Sequence, residues 1–282
     1  MPSIAIITDS TAYLPPEYIQ KYHLKIAPLT VLFGEESYRD GVDISPREFY
    51  DRLKTSTIMP TTSQVTIGAF KDLYEDLFQA GTEILVITIS GKLSGTVESA
   101  RQARQFVPEA KIEVVDSLST TVEQGLIVLA VARAAASGAS LMECKQVTEQ
   151  ARQRTGVVFA VDTLEFLHRG GRIGGAKRFM GTLLNIKPIL TINAGQVDAL
   201  EQARTRKKSI SRLVDIVAER VAGKSQVRLG VSHANALEEA QALMGMASMR
   251  LDPVGAMITD LSPVIGTHVG PGTVALAYYY EA

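Results

Sequence analysis

The sequence predicts an α/β fold in two domains, an N-terminal, mostly parallel sheet flanked by helices and a C-terminal mixed α/β sandwich. Three observations carry this. Short apolar runs alternate with helical patterns through the first 165 residues, a hairpin signal opens the remainder, and 282 residues are long for one compact layered unit.

The apolar runs at 4–8, 84–89, 112–115 and 157–161 end in hydroxyl or acidic residues and read as buried parallel strands. The helices between them are punctuated. Ser45-Pro-Arg-Glu48 supplies a cap, a proline at the first helical position and a glutamate at the third. Ser140-Leu-Met-Glu143 repeats the capping box after Gly138 ends an alanine-rich helix over 121–137. A further helix is predicted over 66–79. Strands alternating with helices give a parallel sheet covered on both faces, and such sheets bind ligands beyond the carboxyl ends of their strands.

The second part differs. Pro188-Ile-Leu-Thr-Ile192, Asn193-Ala-Gly-Gln196 and the run 197–203 form a hairpin pattern. Helices over 209–221 and 237–250 then alternate with strands at 227–232, 254–259 and 273–279. The basic, glycine-rich stretch Arg169-Gly-Gly-Arg-Ile-Gly-Gly175 reads as the crossing, which divides the chain into 1–165 and 166–282.

Composition excludes several functions. The net charge is −1, from 29 basic and 30 acidic residues, so no global field draws the chain to nucleic acid or to an anionic membrane. Cys144 is the single cysteine, which rules out an internal disulfide and any zinc site built on several thiolates. A reducing cytoplasm is the expected location. No export signal is visible, and the longest apolar stretch, 126–132, is closed by Arg133 and is too short to span a bilayer.

The most informative segment is 84–96, where an apolar strand enters a loop of hydroxyls and glycines, Ser90-Gly-Lys-Leu-Ser-Gly-Thr96, that opens a helix. Unpaired N–H groups and the dipole at a helix start favour negative charge, and Ser90, Ser94 and Thr96 add hydroxyl donors. The loop is not a Walker loop, because its lysine and glycine spacing are wrong. It also misses Gly-x-Ser-x-Gly by one residue, which argues against a nucleophile elbow at Ser94. A plain helix cap remains the alternative.

Thr62 and Ser63, in Pro60-Thr-Thr-Ser-Gln-Val65, form a second neutral hydroxyl cluster, better suited to a carboxylate than to a triphosphate. His268 lies in a loop, 262–272, with three glycines and two prolines, a rigid frame for a titratable group. Arg172 and Arg204 belong to the two dense basic spots and are candidates for ligand or partner contact, against a default of solvated charge. Asp9, Asp116 and Asp162 end strands and read as caps and turns. Tyr38-Arg-Asp-Gly-Val-Asp43 reads as a tight turn with solvated charges, with two carboxylates lining a cleft as the alternative. No His/Cys/Asp cluster suggests a metal.

Taken together, Thr8-Asp-Ser-Thr11, Tyr38-Arg-Asp-Gly41, Thr62-Ser-Gln64, Leu93-Ser-Gly-Thr96, Val115-Asp-Ser117, Gly170-Gly-Arg-Ile173, Leu184-Asn-Ile-Lys-Pro188 and Gly266-Thr-His-Val-Gly-Pro-Gly272 resemble, in order, the DegV family of bacterial fatty-acid-binding proteins. The resemblance implies two α/β domains enclosing a long-chain fatty acid such as palmitate, with no cofactor. It implies a non-catalytic protein that presents the acid to the catalytic subunit of a fatty acid kinase, which makes acyl-phosphate, a phospholipid precursor. Membrane contact would be at most transient. Thr62 and Ser94 would hold the carboxylate, with Ser63, Gly95 and Thr96 completing the cradle and His268 extending the network. Val65, Gly91 and Val97 depart from the family pattern, which leaves chain length and unsaturation open. The alternative is a serine esterase or acyltransferase with Ser94 as nucleophile and His268 as its base.

Overall fold

The computed structural model describes residues 4–181 and 186–281, so the Leu184-Asn185 part of one motif lies outside the described residues. The first half runs β1 (Ile4–Asp9), α1 (Pro16–Lys21), β2 (Lys25–Ala27), β3 (Thr30–Phe33), β4 (Glu36–Arg39), α2 (Pro46–Thr55), β5 (Thr61–Ser63) and α3 (Ile67–Gln79). It continues through β6 (Glu83–Thr88), α4 (Thr96–Ala103), β7 (Ile112–Asp116), α5 (Thr121–Ala136) and α6 (Leu141–Gln153). Next come β8 (Thr155–Ala160), α7 (Glu165–Arg169), β9 (Lys187–Asn193), β10 (Gln196–Ala203) and α8 (Arg206–Arg220). The last elements are β11 (Ser225–His233), α9 (Leu237–Leu251), β12 (Gly255–Asp260), α10 (Pro263–Val269) and β13 (Val274–Glu281).

Three sheets result. The first, β2-β1-β6-β7, is wholly parallel, as its crossover helices require. The second, β10-β9-β8-β13-β11-β12, is mixed, with only β11 and β12 parallel. A small antiparallel sheet, β4-β3-β5, was not expected from the sequence, because three- and four-residue strands carry too little alternation to be seen. The expected hairpin is present, turning through Ala194 and Gly195, both with positive φ. Both capping boxes form: Ser45 Oγ accepts from Glu48 N–H at 3.3 Å while Glu48 Oε2 accepts from Ser45 N–H at 2.9 Å, and Ser140 and Glu143 match them.

Two expectations change. The run at 157–161 is not a strand of the parallel sheet, because β8 pairs antiparallel with β13 and β9 in the second sheet. Its alternate residues explain the misreading. Val157 and Phe159 face one core while Val158 and Ala160 face the other, so both faces are buried and no polar alternation marks the direction. Sheet membership therefore changes ahead of Thr155, not at the glycine-rich crossing expected near 164–175. The second change concerns 262–272, expected to be a loop. Residues 263–269 are helical, started by the Ser262 side chain accepting from Ile265 N–H at 3.2 Å with Pro263 at the first position.

The larger core joins the first sheet to the inner face of the second, with α5 between them. This helix is buried all round from Thr121 to Ala132, with polar Thr121, Glu123 and Gln124 in its first turn and only apolar residues from Leu126 to Ala132. The other core lies between the outer face of the second sheet and α8 and α9. Helix α10 crosses back from the second sheet to pack on α2, β3 and β5. Gly266 makes that approach close, since a Cβ there would lie 2.5 Å from the Tyr50 hydroxyl and 2.9 Å from the Phe49 ring.

Candidate functional site

Between the two large sheets, at the carboxyl end of β6, lies a cavity of about 210 Å³. Its walls come from segments far apart in sequence. Ile89, Leu93, Ser94 and Gly95 follow β6, Thr62 and Ser63 belong to β5, and α10 contributes Val264, Ile265, His268 and Val269. Val157, Phe159, Ile192 and Val197 from the second sheet, together with Leu29 and Leu261, make most of the interior apolar. Thr62 and Ser63 on β5, Ser94 in the 90–96 loop, His268 on α10 and Arg172 supply polar groups to the wall, and Thr120, Thr121 and Thr273 add further hydroxyls.

Within that polar group, Thr62 Oγ1 and His268 Nε2 are a hydrogen-bonded pair 2.9 Å apart. Burial, with the Arg172 charge beside it, pushes His268 down to about 4, so the imidazole is neutral at neutral pH. Its Nδ1 is buried with no protein partner. Arg172 donates through Nε to Leu93 O at 3.1 Å and through Nη1 to Gly170 O at 2.8 Å, which pins the 90–96 loop to the turn after α7. A cleft lined by Met59, Pro60, Arg169 and Gly170 shares Thr62, Arg172 and His268 with the cavity. Thr62, Arg172 and His268 thus stand between the cavity and the surface.

Thr62, Ser63, Ser94, Gly95, Arg172 and His268, all expected from the sequence, line one cavity. Thr96 does not line it. Its Oγ1 lies 2.9 Å from Ser94 Oγ and its N–H donates to the same oxygen at 3.3 Å, so Thr96 orients Ser94 from behind while opening α4. Arg204 is exposed and outside the lining. Ser90 is also turned away, donating to Gly195 O at 2.7 Å, where it anchors the hairpin tip. Asp116 is the turn residue expected, accepting from Gly91 N–H at 3.0 Å and Leu118 N–H at 2.8 Å.

The arrangement does not form a Ser–His couple. His268 is paired with Thr62, and Ser94 with Thr96. Among the described residues no group of His, Cys, Asp and Glu is placed to hold a metal ion, and no helix is long and apolar enough to cross a membrane.

Sequence reasoning placed Gln64 in a motif but gave it no role; its amide donates to Ser99 Oγ at 2.8 Å and its side chain occupies the space a Cβ on Gly95 would need. That explains the glycine beside Ser94. Thr120 and Thr121 at the start of α5, which line the cavity, were missed outright. Thr121 holds a positive φ of 57°, a backbone strain invisible in composition or periodicity.

The same architecture recurs in other proteins. A family model described as "Uncharacterised protein, DegV family" matches residues 3–281. A DegV domain-containing protein of Halalkalibacterium halodurans is 38% identical over 282 residues, covering 100% of both chains. Among solved structures, a DegV family protein from Thermus thermophilus, described for its fatty acid binding, superposes with a TM-score of 0.94 at 35% identity, over 99% of this chain and 100% of that one. A stearic acid-binding protein from Eubacterium ventriosum superposes with a TM-score of 0.91 at 25% identity, over 99% and 98%. With a family match along almost its whole length and a fold shared in full with such structures, this chain belongs to the DegV family.

Proposed function

We propose that this protein binds one long-chain fatty acid, tail in the apolar cavity and carboxylate at the Thr62–Ser94–His268 end, and presents it to a kinase partner for acyl-phosphate formation. The observation that carries this reading is a cavity with a mostly apolar lining whose Thr62, neutral His268 and Arg172 are shared with a surface cleft. Solved relatives that bind fatty acids support the ligand class.

The energetics divide the work between tail and head. A sixteen-carbon acid brings roughly 14 methylenes worth about 0.8 kcal/mol each, up to ~11 kcal/mol of transfer from water before association and ordering costs. Hydrogen bonds to an ionised carboxylate add about 1.5–3 kcal/mol each, against several kcal/mol of desolvation. The tail sets affinity and the head sets orientation. Neutral His268 offers a donor without a buried charge, and Arg172 supplies the compensating charge.

In this reading the protein performs no chemistry itself, and Ser94, paired with the Thr96 hydroxyl while His268 is paired with Thr62, serves to bind the carboxylate. The surface opening beside Arg169 and Arg172 offers a kinase access to the carboxylate without unloading the tail. Loading the protein with palmitate, adding a fatty acid kinase catalytic subunit and ATP, and following acyl-phosphate as its hydroxamate tests presentation. Product that depends on the protein and falls in Thr62→Ala/Ser94→Ala supports it. Product formed equally well from free palmitate contradicts it.

A further inference from the structure

The motif Thr8-Asp-Ser-Thr11 supplies no residue to the cavity wall, yet Asp9 is hydrogen-bonded to that wall. Asp9 ends β1 and caps the turn over 10–12, where its Oδ1 accepts from Thr11 N–H at 3.0 Å and lies 2.5 Å from the Thr11 hydroxyl. Its other oxygen reaches the neighbouring strand. Oδ2 accepts from Ile89 N–H at 2.6 Å and from the Gln124 amide at 3.3 Å, and Asp9 as a whole is 0% exposed.

The bond to Ile89 lies where the parallel ladder stops. Thr8 opposite Ile87 is the last registered pair of β1 and β6, and past it the Asp9 carboxylate takes the part of a backbone carbonyl. Ile89 lines the cavity and leads into a compact turn, in which Ser90 O accepts from Leu93 N–H at 2.9 Å and from Ser94 N–H at 3.0 Å. Where Ile89 is held, Ser94 is held. Gln124 carries the same network to α5: its amide also donates to Thr8 Oγ1 at 3.0 Å, and its backbone N–H donates to the carbonyl of Thr120, a cavity residue, at 3.3 Å.

We propose that Asp9 is a positioning residue for the head-group site: by holding the Ile89 N–H it sets the place of the 90–96 loop, and through that loop the reach of Ser94 to the ligand carboxylate. The inference rests on the fatty-acid reading of the cavity. Asp9 is absent from the lining and acts through the backbone that carries Ser94. A buried N–H without an acceptor is costly, so with the carboxylate gone the loop shifts to find another partner.

The two oxygens separate this role from the capping of the turn. Asparagine at this position keeps one acceptor. Oδ2 faces two N–H donors, whereas Oδ1 faces one N–H and a hydroxyl that can accept instead of donate. The asparagine oxygen is therefore best placed towards Ile89, with its NH2 towards Thr11. That arrangement gives up the Thr11 N–H cap and keeps the hold on the loop.

Calorimetric titration with palmitate, alongside thermal midpoints, tests the proposal in the intact protein, Asp9→Ala, Asp9→Asn, Ser94→Ala and Asp9→Ala/Ser94→Ala. Asp9→Ala weakens palmitate binding about fivefold or more when Ser94 is present, and less than about twofold once Ser94→Ala has removed the group that the loop positions. Asp9→Asn recovers most of that affinity while its thermal midpoint stays below that of the unaltered protein. Unchanged affinity in Asp9→Ala overturns the inference, as do equal losses in the two backgrounds or an Asp9→Asn that binds no better than Asp9→Ala. Where Asp9→Ala does not fold, Asp9→Asn carries the test: affinity within about twofold at a lowered midpoint supports the role, and an approximately fivefold loss overturns it. Unaltered protein that takes up no palmitate, or Ser94→Ala that binds it as well as the unaltered protein, removes the head-group reading itself, and this inference with it.

Discussion

Thr62 and His268 are 206 positions apart in the sequence and 2.9 Å apart in the fold. The chemistry of each was legible in its residue type and local frame; their partnership was not, because it depends on α10 crossing from one sheet to the other. Removing the hydroxyls in Thr62→Ala/Ser94→Ala is expected to weaken fatty acid affinity about tenfold or more, at about 1.5–3 kcal/mol per hydrogen bond to a charged group. Fluorescent fatty acid titration measures this, and unchanged affinity would remove the head-group assignment. His268 gives a pH prediction. Its folded value of about 4 lies below the ordinary 6.5, so the folded state binds fewer protons and stability is lost as pH falls from about 6.5 towards 4. His268→Gln should abolish that part of the acid sensitivity, on the order of 3 kcal/mol at most. Denaturant midpoints at pH 4 and 7 check it.

At the scale of elements, legibility followed burial pattern. The capped helices α2 and α6 were readable because their punctuation is local. Strand β8 was readable as a strand but not as antiparallel, since it is buried on both faces and direction lies in its partners. Helix α10 was hidden by its own glycines and prolines. Gly266 sits inside it because the Tyr50 hydroxyl and Phe49 ring leave no room for a Cβ, and Gly270 follows it with a positive φ of 76°. Gly266→Ala should therefore destabilise the protein by about 1–3 kcal/mol through overpacking, although alanine is the better helix former. A urea midpoint that rises instead would show that α10 leaves room on α2 for a methyl group.

Across the whole molecule, α5 packs between the parallel and mixed sheets and α10, following β12 of the mixed sheet, packs on the small β4-β3-β5 sheet, so the cavity is walled by elements from all three. The α/β class and the mixed second sheet were legible from strand and hairpin signals, whereas the shared core depends on contacts that no local window contains. Ligand binding should consequently stabilise the entire fold. Fatty acid at about a hundred times its Kd adds about 2.7 kcal/mol, which for a chain of this size raises Tm by roughly 4–5 °C. A calorimetric scan of delipidated and reloaded protein measures the shift; a Tm indifferent to fatty acid would separate the ligand from the core. Native mass spectrometry of the purified protein, delipidated and then offered palmitate, tests the central claim most directly. The account predicts one fatty acid per chain, with occupancy reduced in Thr62→Ala/Ser94→Ala; a protein that carries no lipid as purified and takes up none when offered would contradict it.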